Sequence, residues 1–362
     1  MRFEPFRYMA WAKEHGQGRY GTSLSDSGTR SVTVEELGLS LGDVALNGVD
    51  RYGPPALMAR LAEFLGVGEK NVVRTSGTSL ANFLAYGAIL ERGDEVLVES
   101  PAYEALLGLP QLFGATARAV PRGPRFEIDP ERVLAALSPR TKLVALSNLH
   151  NPTGVAASDE ALRAIGREAE RRGFHVLVDE VYQDFFPADG ERLAPAYRRL
   201  GPRFVVTNSL TKVYGLGGLR LGWIAADEEI ARRAERLMDY LSVVTAYPAS
   251  MIALVALGKI DALRERALRV ARANVAIVRD FVRRRADRVE WVEPDGGIVA
   301  LVRFRDGRSG DAVSLRLREE FDTLVVPGSF FGVDAGVRIG FGGGEETLRA
   351  GLVNLERVLD ER

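Results

Sequence analysis

From about residue 70 onward, short apolar runs alternate with longer stretches in which apolar positions recur every three or four residues. The first pattern is that of β-strands, the second that of amphipathic helices. Strands are predicted at 71–76, 94–100, 115–120, 142–148, 175–180, 203–209 and 219–226, several of them apolar on both faces as buried strands are. Helices are predicted at about 78–91, 103–113, 129–137 and 158–172. The last opens on Ser158-Asp159-Glu160, a capping hydroxyl followed by acids that suit the positive end of a helix dipole. This alternation predicts an α/β fold, with a large domain whose mostly parallel seven-stranded sheet is flanked by helices. After Ala226 the pattern lengthens into helices over about 227–241 and 249–286, the second studded with arginines that read as a solvated face. Three glycine-punctuated strands follow within 291–304, 323–332 and 336–344, then a last helix over 345–359. They predict a small α+β domain. Residues 1–40, with Gly and Ser clusters and short apolar runs, are expected to pack on other parts of the chain and not to form a core. The expected division is 1–40 for that segment, 41–260 for the large domain and 261–362 for the small one.

Composition narrows the function. The 362 residues, 46% hydrophobic and 27% charged, are those of an ordinary globular chain. A net charge of -1 supplies no global field toward nucleic acid or an anionic membrane surface, so a ligand must be held by a local site. With no cysteine and only His15, His150 and His175, cysteine nucleophiles are excluded and no metal site is expected. The opening sixteen residues carry Glu and Arg early and lack the apolar stretch of a secretory signal, and no apolar run approaches the roughly 18 residues of a membrane span, so a cytoplasmic protein is expected. Only five of the 48 basic residues are lysines, so lysine chemistry has few candidates.

The polar residues of interest fall just after predicted strands, at the edge where open α/β sheets bind ligands. Ser76-Gly77-Thr78-Ser79 lies between a strand and a helix and suits one phosphate, although an ordinary helix cap reads the same way. Lys212, in Ser209-Leu-Thr-Lys212, sits between a buried strand and the glycine-rich run Tyr214 to Arg220. Partial desolvation there favours the neutral amine that carbonyl chemistry needs, the alternative being a plain phosphate or salt-bridge lysine. Asp179 ends another strand, where it can hold a heterocyclic nitrogen protonated or make a structural contact. Asn151, in Asn-Pro-Thr-Gly154, is either a hydrogen-bonding group or part of a turn.

The ordered set Arg51-Tyr52-Gly-Pro, Ser76-Gly-Thr-Ser79, Glu99-Ser-Pro-Ala-Tyr103, Asn151-Pro-Thr-Gly154, Asp179-Glu-Val-Tyr182, Ser209-Leu-Thr-Lys212, Gly218-Leu-Arg220-Leu-Gly-Trp and Arg338-Ile-Gly-Phe341 resembles the class I/II aminotransferases. These pyridoxal 5'-phosphate (PLP) enzymes share the fold of aspartate aminotransferase. The resemblance implies that Lys212 carries the cofactor covalently and shuttles a proton, and that Asp179 faces the pyridine nitrogen. It further implies that Asn151 and Tyr182 bond the ring oxygen and that Tyr103 stacks on the ring. Gly77, Thr78, Ser79, Ser209 and Arg220 would cradle the phosphate, Tyr52 would reach the phosphate of a second subunit in a homodimer, and Arg338 would clamp the substrate carboxylate. The small domain would be built from the two chain ends, with the N-terminal segment on the active site. The stretch Ser25-Asp26-Ser27-Gly28 would line the substrate pocket, Ser27 and Gly28 with Asn151 touching substrate. Asn82 stands where alanine is commoner.

Three functions follow: amino transfer between an L-amino acid and a 2-oxo acid; another PLP reaction on the same scaffold, such as elimination, decarboxylation or cyclisation; or a non-catalytic effector-binding module. The last is disfavoured by the complete catalytic set.

Overall fold

Seven strands build the central sheet, all but the exposed edge strand β3 buried along most of their length: β1 (Val72–Thr75), β2 (Glu95–Ser100), β3 (Thr116–Pro121), β4 (Thr141–Ser147), β5 (His175–Asp179), β6 (Phe204–Ser209) and β7 (Gly222–Ala225). Their order is β1-β7-β6-β5-β4-β2-β3, with only β7 antiparallel to its neighbours. This is a computed structural model, and it describes residues 3–16, 18–187 and 189–361. All seven predicted strands are present within a few residues of their expected limits. In β5, Val176, Leu177 and Val178 are fully buried, because helices cover both faces of the sheet. The direction of the strands puts Thr75, Ser100, Ser147, Asp179 and Ser209 at one edge. The topology changes direction between β2 and β4, which opens a crevice there.

The predicted helix near 158 runs over Asp159–Arg172, its first turn capped by Ser158 accepting from the Ala161 N–H. The stretch 249–286 is corrected to two helices, Tyr247–Gly258 and Ile260–Arg284. Gly258 is a poor helix former, Lys259 leaves helical geometry, and its Nζ donates to the Leu37 carbonyl at 2.7 Å. Two helices not predicted carry plain signals: α2 (Pro55–Leu65) has proline in its first turn and left-handed Gly66 after its last, and Gly310–Phe321 is capped by Ser309.

The segment 323–332 is not one strand. Thr323–Leu324 pairs in parallel with Thr22–Ser23, and Val326–Pro327 lies at the edge of an antiparallel sheet of four, where a proline lacking its N–H is tolerated. The next strand of that sheet, Gly336–Gly340, carries Arg338 opposite Leu301. Residues 1–40 do more than pack on the rest: they contain helix α1 (Arg7–His15), and Leu24 and Leu37 join the principal core. Among the described residues no helix is long and apolar enough to cross a membrane.

Candidate active site

Asp179 closes β5 with 5% of its surface exposed. Its Oδ2 accepts from Asn82 Nδ2 at 2.9 Å and its Oδ1 from the Val181 N–H at 3.1 Å. Asn82 is fixed in turn by Thr207 Oγ1 of β6, which donates to its Oδ1 at 2.6 Å. Burial pushes the Asp179 carboxyl up to about 6, against the pull of those two bonds. No cation touches it among the described residues, so the site holds a desolvated acid suited to a protonated ring nitrogen.

Lys212 follows β6 in a loop closed on itself by Leu210 N–H to Leu221 O (3.0 Å) and Leu216 N–H to Leu210 O (3.1 Å). Its half-buried Nζ donates to Ser27 Oγ at 2.8 Å. Burial first, then the Arg338 charge, lowers the amine to about 8, which leaves a useful neutral fraction near pH 7. Gly28 lies against this side chain: a Cβ there would sit 3.9 Å from Lys212 Cδ.

Helix α3 (Thr78–Ile89) begins directly after Gly77, whose φ of 83° is open to glycine and strained for other residues. A Cβ on Gly77 would strike the Arg220 guanidinium, so glycine also lets that arginine lie over the loop, where it donates to Ser76 O at 3.3 Å. Thr78 Oγ1 donates to Ser209 Oγ at 2.8 Å, Arg220 is exposed above them, and Thr211 Oγ1 is buried without a partner. The α3 N-terminus, two hydroxyls and a guanidinium lie together, donors that could hold an anion. Ser79 is exposed on the first turn of α3.

Asn151 sits at the mouth, and its Oδ1 is buried with no partner. It is braced from below by a network that sequence reasoning missed. Glu99 at the end of β2 accepts from Arg122 and from the Ser147 N–H and hydroxyl, and Ser147 Oγ accepts from the Asn151 N–H at 3.3 Å. His150, buried, contacts Thr153 Oγ1 at 2.7 Å and the Pro101 carbonyl at 2.8 Å, and burial holds it well below its usual range. Tyr182 donates to the Ser27 carbonyl at 2.8 Å, and burial raises its hydroxyl above the ordinary phenol value.

Arg338 is fully buried, yet its Nε and one terminal nitrogen have no partner. The other donates to the Ser25 carbonyl at 2.6 Å and to Tyr8 Oη at 3.2 Å. The Tyr8 and Phe331 rings lie 5.5 and 5.4 Å from the guanidinium carbon. Tyr8 is placed by α1, whose start is capped from the large domain: Glu104 accepts from the Arg7 and Tyr8 N–H groups at 3.1 and 2.7 Å. Neighbouring Tyr103 packs edge-on to Phe6 and Tyr8. Neither Tyr8 nor Glu104 carries a local sequence signal for these roles.

Tyr52 stands apart. Its ring lies under Arg236 at 5.1 Å, its hydroxyl donates to Asp239 Oδ2 at 3.4 Å, and among the described residues no contact joins it to Thr78, Ser209 or Lys212.

This arrangement fits a phosphorylated pyridine aldehyde: a buried acid, a lysine amine of lowered basicity, an anion cradle, an orphaned amide oxygen and an orphaned guanidinium. The family model for aminotransferase class I and II matches residues 24–355. Capreomycidine synthase of Streptomyces vinaceus is 31% identical over 93% of this chain and 90% of its own length. A PLP-dependent aminotransferase from Streptococcus suis superposes with a TM-score of 0.91 at 26% identity, covering 100% of both chains. The PLP-dependent cyclase OrfR gives 0.89 at 29%, covering 99% of this chain and 98% of the other. The chain belongs to the class I and II aminotransferase family. It is a PLP-dependent enzyme, with transfer of amino groups as its reaction class.

Proposed function

We propose that this enzyme moves an amino group between an L-amino acid and a 2-oxo acid at Lys212. The observation that carries the reading is the Lys212 amine, held at 2.8 Å by Ser27 and lowered to about 8, in the electrostatic reach of both Asp179 and Arg338. PLP, when bound, supplies an aldehyde for the amino group and a ring that accepts the electron pair left at the substrate Cα. Asp179 would keep a proton on the ring nitrogen. Asn151 and Tyr182 would hold the ring oxygen, Tyr103 would pack on the ring, and Gly77, Thr78, Ser79, Ser209 and Arg220 would hold the phosphate. Arg338 takes the substrate carboxylate with its free Nε–H and terminal N–H, and Ser27 and Gly28 line the pocket beside it. The Lys212 amine would be the base that takes the proton from the substrate Cα and the acid that gives it back.

The same reading makes the enzyme a homodimer of the cytoplasm. Leu46, Val49, Tyr240, Val243 and Val244 are exposed, and Tyr247 packs against Gly48, which joins their two segments into one apolar face beside Tyr52. A second copy on that face would cover it and let Tyr52 reach the other phosphate.

The similarity to capreomycidine synthase and to a PLP-dependent cyclase favours a second reading, elimination and ring closure on the same residues. A half-reaction screen separates the two. Mixing the PLP form with single amino acids should convert the cofactor to its pyridoxamine form, read by absorbance, and a 2-oxo acid should reverse it. An amino acid consumed with no such conversion would exclude amino transfer, and a cyclic product would establish the second reading.

A further inference from the structure

The charged groups that act on the Lys212 amine are Arg338, Asp26, Arg220 and Asp179. Three have a task in the proposed reaction: carboxylate, phosphate and ring nitrogen. Asp26 has none. Its carboxylate is exposed and makes no hydrogen bond or ion pair among the described residues, although the residues on either side are tightly engaged. The Ser25 carbonyl holds Arg338 at 2.6 Å, the Ser27 hydroxyl holds Lys212 at 2.8 Å, and the Asp26 carbonyl lies against Gly340, two residues beyond Arg338. Asp26 is therefore set at the rim between the carboxylate clamp and the reacting amine.

Three arginines on the segments around the site are already in ion pairs. Arg122 is bound to Glu99, Arg7 to Glu104 and Arg30 to Glu36. Arg338 offers two free donors, enough for one carboxylate. The unassigned charge at the rim is thus negative. A side-chain carboxylate arriving there meets repulsion, and a cation meets attraction through water of short Debye length.

We propose that Asp26 selects the substrate class, an amino acid with one carboxylate and a side chain that ends in a cation, against dicarboxylic amino acids. The inference rests on the proposed seating of the α-carboxylate on Arg338.

The test uses unreactive carboxylates on the holoenzyme, with binding read by calorimetry and by the cofactor absorbance. The probes are 6-aminohexanoate, 5-guanidinopentanoate, uncharged hexanoate and heptanedioate. Either cationic probe should bind at least tenfold more tightly than heptanedioate, and the stronger of the two distinguishes an ammonium from a guanidinium substrate. Asp26→Asn should weaken the cationic probes by about three- to tenfold and leave hexanoate unchanged, whereas Asp26→Glu keeps the order. The cationic preference should also shrink with salt in the native enzyme and not in Asp26→Asn. Heptanedioate binding as tightly as the cationic probes, or Asp26→Asn weakening all four alike, would overturn the proposal. None of the probes has an α-amino group, so their order is read whether or not any amino acid converts the cofactor. Failure of conversion refutes amino transfer, and failure of the order refutes the role of Asp26.

Discussion

Replacing Asp179 by asparagine should stabilise the apoprotein at neutral pH while crippling the enzyme. Burial raises the carboxyl from 3.8 to about 6, so the folded chain binds a proton more tightly than the unfolded chain does. Such a group supports folding fully below pH 3.8 and loses that support as the pH rises through about 6. Relative to a neutral side chain, the ionised carboxylate costs about 1.5 kcal/mol at pH 5 and about 3 kcal/mol at pH 7.5. Asparagine is close in shape and keeps an oxygen for the Val181 N–H, but its amide nitrogen faces Asn82 Nδ2, a clash of donors that offsets part of the gain. Chemical denaturation of the two apoproteins should therefore show Asp179→Asn more stable by about 1 to 3 kcal/mol at pH 7.5, with a smaller advantage at pH 5. PLP should stabilise the native protein much more than the variant, since its ring nitrogen gives the buried acid a cationic partner. Equal stabilities at both pH values would refute the argument, because the acid would then be solvated or already paired.

Borohydride reduction of the holoenzyme should fix the cofactor to the peptide containing Lys212; a label on Lys142, the second residue of β4, would displace Lys212 from its role. Arg338→Ala should raise KM for amino acid and oxo acid together and leave PLP affinity intact. The expected loss in kcat/KM is about two to three and a half decades, from about 3 to 5 kcal/mol for breaking a buried charged pair. Sedimentation should show a homodimer, and Val243→Glu on the exposed apolar face should yield monomers with weakened PLP binding. A native monomer that turns over would exclude Tyr52 acting across subunits.

The sheet and the residues at its edge were legible because each has a local cause. A buried parallel strand is a short apolar run, and the polar residue that ends it projects into the crevice, which is how Asp179, Ser209 and Lys212 announced themselves. What stayed hidden joins residues far apart in the chain. Tyr8 meets Arg338, Ser27 meets Lys212, and Glu104 caps α1, and in each pair neither partner carries a pattern that names the other. Asn82 was visible only as a departure from the usual alanine, and its contact with Asp179 gives that departure a reason. The helix at 310–321 lies between strand runs that share its apolar character, and that at 55–65 has no side-chain cap, so neither stands out as a helix in the sequence.

The hidden contacts also couple binding to chemistry. Arg338 is the strongest charge lowering the Lys212 amine, and its Nε and one terminal nitrogen have no partner. A carboxylate seated on Arg338 cancels much of that positive field, so the amine becomes a stronger base once substrate is in place. In the proposed reaction the lowered value would keep a neutral fraction of the amine before substrate arrives, and the same amine would then have to take a proton from carbon, which demands more basicity. One arginine, placed by Ser25 and Tyr8, would serve both requirements. Moving α1 should disturb the amine as well as the proposed carboxylate site, because the helix start that Glu104 caps carries Tyr8, and Tyr8 meets Arg338.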